Sequence, residues 1–354
     1  MSEFEVETVS TLEPLRHEWT ELASCTQSVF KTWEWLSTWW DHFGRRRQLL
    51  VTAVRSHGRL IGILPLYQWR TRPLRILRFL GHSVGDELGP ICAPADRPRM
   101  ARALTRVLAD SPWHLLLAEQ LPADENWGAV LGGRVLAREG NPVLRFGAEG
   151  WEGFLRQRSA NFREQVRRRP RKLAREHEVR YRLVDGTRDL QSELDILFRL
   201  HAARWAATRS ALLAHEEFHR SMARLAAQRK WLRVWVLEIE GQPAATLYGF
   251  RFAGVESYYQ AGRDPRWDRY HVGFVLLAHA IRQAAEDSMV EYRLLRGSEQ
   301  YKYRFANADP GLETVGVTHG PVAGIGLPVL NTLWTARGPL GQISRRSMGR
   351  WFHR

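Results

Sequence analysis

Cysteine is nearly absent from this 354-residue chain, with only Cys25 and Cys92 present. Two thiols are too few for a disulfide framework or a cysteine-ligated metal site, so a reducing cytosol is the expected setting. Long apolar runs are missing too. The stretch from Val315 to Ala336 carries no Asp, Glu, Lys or Arg, but Gly320, Pro321, Gly324, Gly326, Pro328 and Asn331 break it up. It falls short of the roughly 20 uninterrupted apolar residues of a membrane helix. The opening segment MSEFEVETVSTLEPL has no basic start followed by an apolar run, so no secretory signal is expected. Nor do the thirteen histidines fall into metal-ligand spacing. His215 and His219 share a helix face without a third ligand, and no metal is expected. A Gly-x-Ser-x-Gly elbow, a P-loop and a His-Glu-x-x-His pair are all lacking, which removes the common hydrolase, phosphate-loop and zincin readings.

Acid is scarce relative to base: 38 Asp plus Glu face 52 Lys plus Arg, for a net charge of +14. The excess sits in two places. Residues 152–182 hold eleven Lys or Arg against four Glu, and residues 337–354 hold five Arg and no acid. Partners of opposite charge are therefore sought at these segments. The first reads as a helix, with Asn161 and Glu164 as a capping box and with Phe162, Val166, Leu173 and His177 at helical spacing. Pro170 predicts a kink or a break within it. The second segment has Leu340, Ile343, Trp351 and Phe352 among its arginines, a composition suited to an anionic lipid surface or to a frayed basic tail. General nucleic-acid binding is disfavoured, since no zinc-finger spacing or RRM motif occurs and aromatics do not interleave with the arginines.

What is present is a repeat. LVTAVRSHGRLIGILPLY (50–67) and LRVWVLEIEGQPAATLYGF (232–250) each run an alternating strand into a Gly turn, at Gly58 and at Gly241, 183 residues apart. A second apolar strand leaves each turn. The first copy continues with a strand at 75–81, a helix around 99–109 and a strand at 113–119. The second continues with a strand at 256–262, a helix from 272 to 287 and a strand at 290–295. Helices precede both hairpins, at 14–24 and 33–42 and again at 190–206 and 216–229. Two copies of one α/β unit, each with a mixed sheet and flanking helices, account for the length.

This order of elements resembles the GNAT acyltransferase fold, and the tandem arrangement resembles the double-GNAT enzymes. The chain is similar in particular to the CelD/BcsL acetyltransferases associated with bacterial cellulose biosynthesis, a group related to the FemAB-type transferases of peptidoglycan. The residues that carry the likeness are SVFKTWEWLSTWWDHFG (28–44), GHSVGDELGPICAP (81–94), SANFREQVRRRPRKL (159–173), AGRDPRWDRYHVGFVLL (261–277) and RGSEQYKYRFAN (296–307). The last is the most specific. The resemblance implies an α/β (α+β) class: tandem GNAT-like domains with mixed, mostly antiparallel sheets flanked by helices. Its expected parts are a degenerate acceptor-side domain over 1–148, an acyl-CoA domain over 149–318 and a basic tail over 319–354.

By the same resemblance the activity is acyl-CoA-dependent N-acylation, with acetyl-CoA as co-substrate and an envelope or exopolysaccharide precursor as acceptor. Such an enzyme holds a pyrophosphate, polarises a thioester carbonyl and accepts a proton from an ammonium. The loop entering the 272–287 helix suits the first task, because backbone N–H groups and the helix dipole favour an anion there. Ala261, Gly262, Arg266, Arg269, Tyr270, His271, Val272 and Gly273 are its candidate cofactor contacts. His271 and Val272 stand where the family favours a small hydroxyl residue and a proline. Glu299, Tyr301 and Tyr303 are the catalytic candidates, Glu299 as base and a tyrosine as the acid for the departing thiolate, with Glu256 and Tyr258 as further proton acceptors on the strand. Asp86, Glu87, Arg163, Arg296 and Lys302 are candidate substrate ligands. Trp33, Trp35, Trp39 and Trp40 read as packing on one helix. Two alternatives stay open: a FemAB-like aminoacyl transferase whose 156–182 segment holds tRNA, and a non-catalytic scaffold docking on a membrane-bound polysaccharide synthase through its tail.

Overall fold

The computed structural model describes residues 3–71, 74–204 and 210–320, and these divide into two compact units, 3–141 with 310–320 and 142–309. The first unit runs β1 (Glu5–Val9), α1 (Arg16–Ser24), α2 (Trp33–Phe43), β2 (Arg47–Ser56), β3 (Arg59–Thr71), β4 (Leu74–Phe79), β5 (Ile91–Cys92), α3 (Arg97–Asp110), β6 (Leu115–Pro122), α4 (Trp127–Leu131) and β7 (Arg134–Glu139). The second runs β8 (Val143–Arg145), α5 (Gly150–Arg156), α6 (Ala160–Glu176), β9 (Val179–Val184), α7 (Leu190–Arg204), α8 (Ala211–Ala214), α9 (Glu216–Gln228), β10 (Leu232–Ile239), β11 (Gln242–Phe252), β12 (Val255–Arg263), α10 (Val272–Glu286), β13 (Glu291–Arg293) and α11 (Gln300–Phe305). A last strand, β14 (Leu312–Thr318), returns to the first unit.

Both hairpins form where the alternation and the Gly turns place them. Ser56 pairs Arg59 across one turn and Ile239 pairs Gln242 across the other. Each unit then pairs its third strand antiparallel to the hairpin and parallel to the strand that follows a crossover helix, β4 with β6 and β12 with β13. Such a parallel pair needs the helix to carry the chain back. The sheet orders are β1-β2-β3-β4-β6-β14-β7, with β5 on β3, and β8-β13-β12-β11-β10-β9. Apolar side chains of β10–β13 pack under α10, with Leu237, Leu247, Tyr258 and Tyr292 meeting Phe274, Val275 and Ile281. In the first unit Val54, Leu66, Leu77 and Leu116 meet Met100 and Leu104 of α3.

Four expectations change. The boundary placed at 148 lies at 141–142, because β8 hydrogen-bonds to β13 in the second sheet. Residues 312–318, expected to close the second domain, fill the gap between β6 and β7 in the first sheet. The basic helix is capped by Ser159, whose Oγ accepts from the Phe162 amide at 3.2 Å, not by Asn161. It also continues through Pro170 to Glu176, because the buried Phe162 and Leu173 anchor it on both sides of the one backbone bond that proline removes. The tail at 321–354 lies outside the described residues. Among the described residues no helix is long and apolar enough to cross a membrane.

Candidate functional site

The second unit opens where its parallel pair ends. β12 and β13 pair over Val255–Ser257 and Glu291–Arg293 only. β12 then runs on to Arg263, while β13 gives way to a turn with Leu295 and Gly297 at positive φ. At the first residue past the pairing, the Tyr301 hydroxyl donates to the Tyr258 hydroxyl at 3.2 Å. Both tyrosines are buried. A bulge at Tyr259 of β12, opposite Tyr248 and Gly249 of β11, bends the sheet at this level.

Past β12 a short 3-10 turn, Pro265–Tyr270, leads into α10, with Asp264 accepting from the Arg266 amide at 2.9 Å. His271 takes a left-handed conformation (φ 54°, ψ 43°) and its side chain caps nothing. Its carbonyl accepts from the amides of Phe274 and Val275. The Val272 and Gly273 amides, one turn too early for an intrahelical acceptor, are left facing out of the helix end. Cations from two other elements surround this end. Arg169 of α6 and Arg304 of α11 both lie over the ring of Phe274, at 4.6 and 5.1 Å, and Lys172 lies 5.8 Å from the Tyr270 ring centre. Burial, with Arg304 and Arg168 close by, lowers the Arg169 guanidinium to about 10, and burial lowers Arg304 as well. His271 is held below its ordinary value by burial and then by Arg169, Arg304, Arg263 and Lys172. Arg169 Nη1 is buried without a hydrogen-bond partner. Cations gathered near free amides at a helix N-terminus are an arrangement that can take an anion, and a pyrophosphate is a chemical match for it.

The candidate cofactor contacts divide. Val272, Gly273 and His271 form this end. Arg266 is consumed by Asp264 at 2.6 Å and its side chain is mostly exposed. Arg269 lies 4.7 Å over the Tyr270 ring and donates to the Tyr270 hydroxyl, which donates to Glu176 at 2.9 Å and meets His177 Nε2 at 2.9 Å. These two residues pin the loop to the end of α6. Gly262 serves packing: a Cβ there would lie 2.4 Å from the His201 amide of α7. The Ala261 carbonyl is taken by His201 Nδ1 at 2.9 Å.

Of the catalytic candidates, only Tyr301 reaches the opening. Tyr303, two residues along a helix and so on another face, bonds Asp309 at 2.6 Å. Glu299 is paired with the buried Lys302 ammonium at 3.1 Å, an environment that opposes use as a base. That ammonium also donates to the carbonyls of Leu295 and Arg296, so Lys302 holds the turn rather than a substrate. Arg296 is exposed. Arg163 donates to the Arg158 carbonyl at 2.7 Å and braces the α5–α6 turn. Glu256 is clamped between Arg233 and Arg251, and burial still raises its pKa. Asp86 and Glu87 are buried, with Glu87 accepting from Asn141 at 3.0 Å, so that loop is no solvated ligand site. Arg169, Lys172 and Arg304 were not singled out from the sequence as ligands. The basic run flagged two of them, but nothing in it indicates that α6 lies beside the start of α10.

Comparison with known proteins bears on the fold. No curated protein matches the sequence. The fold is similar to that of FemX (TM-score 0.62, 7% identity, covering 89% of this chain and 97% of that one). It is similar also to the C-terminal domain of a putative lysylphosphatidylglycerol synthetase from Agrobacterium fabrum (0.56, 12%, 91% and 97%) and to L-PGS from Bacillus licheniformis (0.52, 10%, 85% and 92%). Residues 160–303, which span α6 to α11 and every element of the site above, match the family model described as an acetyltransferase (GNAT) domain. That match lies within the second unit.

Proposed function

We propose that the chain transfers an acyl group, acetyl in the first instance, from coenzyme A to an amine. The observation that carries this is the convergence of Arg169, Lys172 and Arg304 on the free amides of Val272 and Gly273. The donor's pyrophosphate sits there, and its thioester reaches along β12 to the opening beside Tyr258. The amine attacks the thioester carbon, the carbon–sulfur bond breaks, and the departing thiolate needs a proton. Tyr301 donates to the Tyr258 oxygen, so the Tyr258 proton is free to pass to sulfur, and the proton released by the amine replaces it. Tyr301 is a positioning residue in this scheme. An envelope or exopolysaccharide precursor as acceptor, and the CelD/BcsL type, rest on the sequence motifs quoted above.

A second reading, aminoacyl transfer, is favoured by one observation: Arg167 and Arg171 lie exposed one helical turn apart on α6 and form a basic face. A tRNA-borne donor would use it, and the lysyl group in the name of one similar structure fits such a donor. Calorimetric titration with acetyl-CoA, on the wild type and on an Arg169→Ala, Gly273→Glu variant, separates the two. Binding lost in the folded variant supports the acetyl-CoA reading. Absence of binding by the wild type, with salt-sensitive tRNA binding in its place, overturns it.

A further inference from the structure

His177 follows the last residue of α6, and its backbone amide closes that helix on the Leu173 carbonyl at 3.0 Å. Its ring stands between a carboxylate and a phenol. Nδ1 lies 3.1 Å from Oε1 of Glu240, in the turn between β10 and β11. Nε2 lies 2.9 Å from the Tyr270 hydroxyl, one residue before the left-handed His271 that opens α10. The Tyr270 hydroxyl has one proton and donates it to Glu176 Oε2 at 2.9 Å, while Arg269 Nη2 donates to its oxygen at 3.0 Å. The Glu240 carboxylate also takes the Glu178 amide at 3.2 Å, and it can only accept.

The protons do not suffice if the ring is neutral. A neutral imidazole has a single N–H. On Nδ1 that proton serves Glu240, and Nε2 must then draw the Tyr270 proton away from Glu176. On Nε2 it serves Tyr270, and the Nδ1 lone pair then faces a carboxylate oxygen. Only the imidazolium, with a proton on each nitrogen, satisfies Glu240, Tyr270 and Glu176 together. Glu176 and Glu240 favour that charge. Arg269 beside Tyr270, Arg175 at 3.3 Å from Glu176 and Lys172 at 5.8 Å from the Tyr270 ring centre oppose it, and the Trp267 ring stands edge-on at 5.0 Å. We propose that protonated His177 is a positioning residue. It clasps the end of α6, which carries Arg169 and Lys172, to the turn that leads into the Val272 and Gly273 amides, and so sets the spacing of the two sides of the donor site. The effect on the donor rests on the acetyl-CoA reading; the clasp itself does not.

The test is nitrogen NMR of the His177 ring in the full chain from about pH 5 to 9, beside calorimetry with acetyl-CoA. Both ring nitrogens are expected to carry protons in the wild type at a pH where Glu240→Gln leaves only one. The Glu240 side chain is half exposed, so this variant should fold. Tyr270→Phe, which takes the acceptor from Nε2, should move the titration the same way. The wild-type Kd for acetyl-CoA should rise by about threefold as the second His177 proton leaves, and Glu240→Gln should show that rise at lower pH. His177→Gln should bind with the weaker Kd throughout and lack this component, whereas His271→Asn should keep it. A wild type that shows the shifted titration without binding acetyl-CoA overturns the donor reading and upholds the clasp. The proposal is overturned if the wild type, Glu240→Gln and Tyr270→Phe lose the second ring proton at one pH, or if the Kd of His177→Gln follows that of the wild type at every pH.

Discussion

The two units end their parallel strand pairs in opposite ways. In the first, β4 and β6 pair through Arg78 and Leu117, and the loop that follows β4 spans the strand ends. The Leu88 amide donates to the Gln120 carbonyl of β6 at 3.0 Å. A Cβ on Gly81, which has φ +91°, would lie 2.9 Å from Leu88 and 3.1 Å from Leu36. The first unit's counterpart of the gap beside Tyr258 is thus occupied by that unit's own loop. The crossover helices differ in sign as well. α3 begins at the buried Asp96, paired with Arg99 at 2.9 Å, whereas α10 begins among Arg169, Lys172 and Arg304. The same topology therefore yields a filled strand gap in one half and an open one in the other, and the difference lies in one loop.

The largest way to break this contrast is to spoil the filled gap. Gly81→Val combines a left-handed backbone with overpacking and should cost roughly 3 kcal/mol in chemical denaturation, with acetyl-CoA affinity unchanged. An unaltered unfolding curve would show that the loop is not packed as described. In the second unit, Gly273→Glu has space, since its nearest neighbour would be Arg263 Cδ at 3.8 Å, so stability should hold. The carboxylate should nevertheless raise the acetyl-CoA Kd on the order of a hundredfold by calorimetry. Tyr258→Phe should lower kcat by about a hundredfold with KM unchanged, measured by thiol release; a change confined to KM would move the acid elsewhere. Arg169→Ala should weaken acetyl-CoA by about tenfold without loss of thermal stability, since it removes a cation that lacks an anionic partner.

The smallest effect concerns pH. Burial and the neighbouring cations hold His271 below its ordinary 6.5, so it is neutral at pH 7 in the free protein. A bound anion favours the imidazolium. Acetyl-CoA affinity should therefore rise by ~3-fold as pH falls through the lowered His271 range, and His271→Asn, which tolerates the left-handed backbone, should lack that component. The stability sign is opposite: the unfolded chain takes up this proton at higher pH than the folded one, so His271 destabilises the fold progressively below about pH 6.5.

Much of this was legible. The alternation around Gly58 and Gly241 gave both hairpins, and the ordered repeat of strand, helix and strand gave both units, because period-2 burial and Gly turns are local properties. The helix start at Val272 was readable for the same reason. The roles of Arg266, Arg269, Glu299 and Lys302 were not, since each depended on which neighbour reached it first: Asp264, Tyr270 and, for the last two, each other. The exchange of β14 into the first sheet was likewise invisible, because a strand's own pattern does not name its partner.

The sequence by itself determined the duplicated α/β unit, its hairpins, its crossover helices and a strongly basic segment at 152–182. Periodicity, turn chemistry and charge are written residue by residue. Only the tertiary structure decided that the basic helix would meet the N-terminus of α10, that Tyr301 would meet Tyr258, and that the first unit would close its own gap. Those outcomes depend on distances between residues far apart in the chain, which packing sets and local pattern does not.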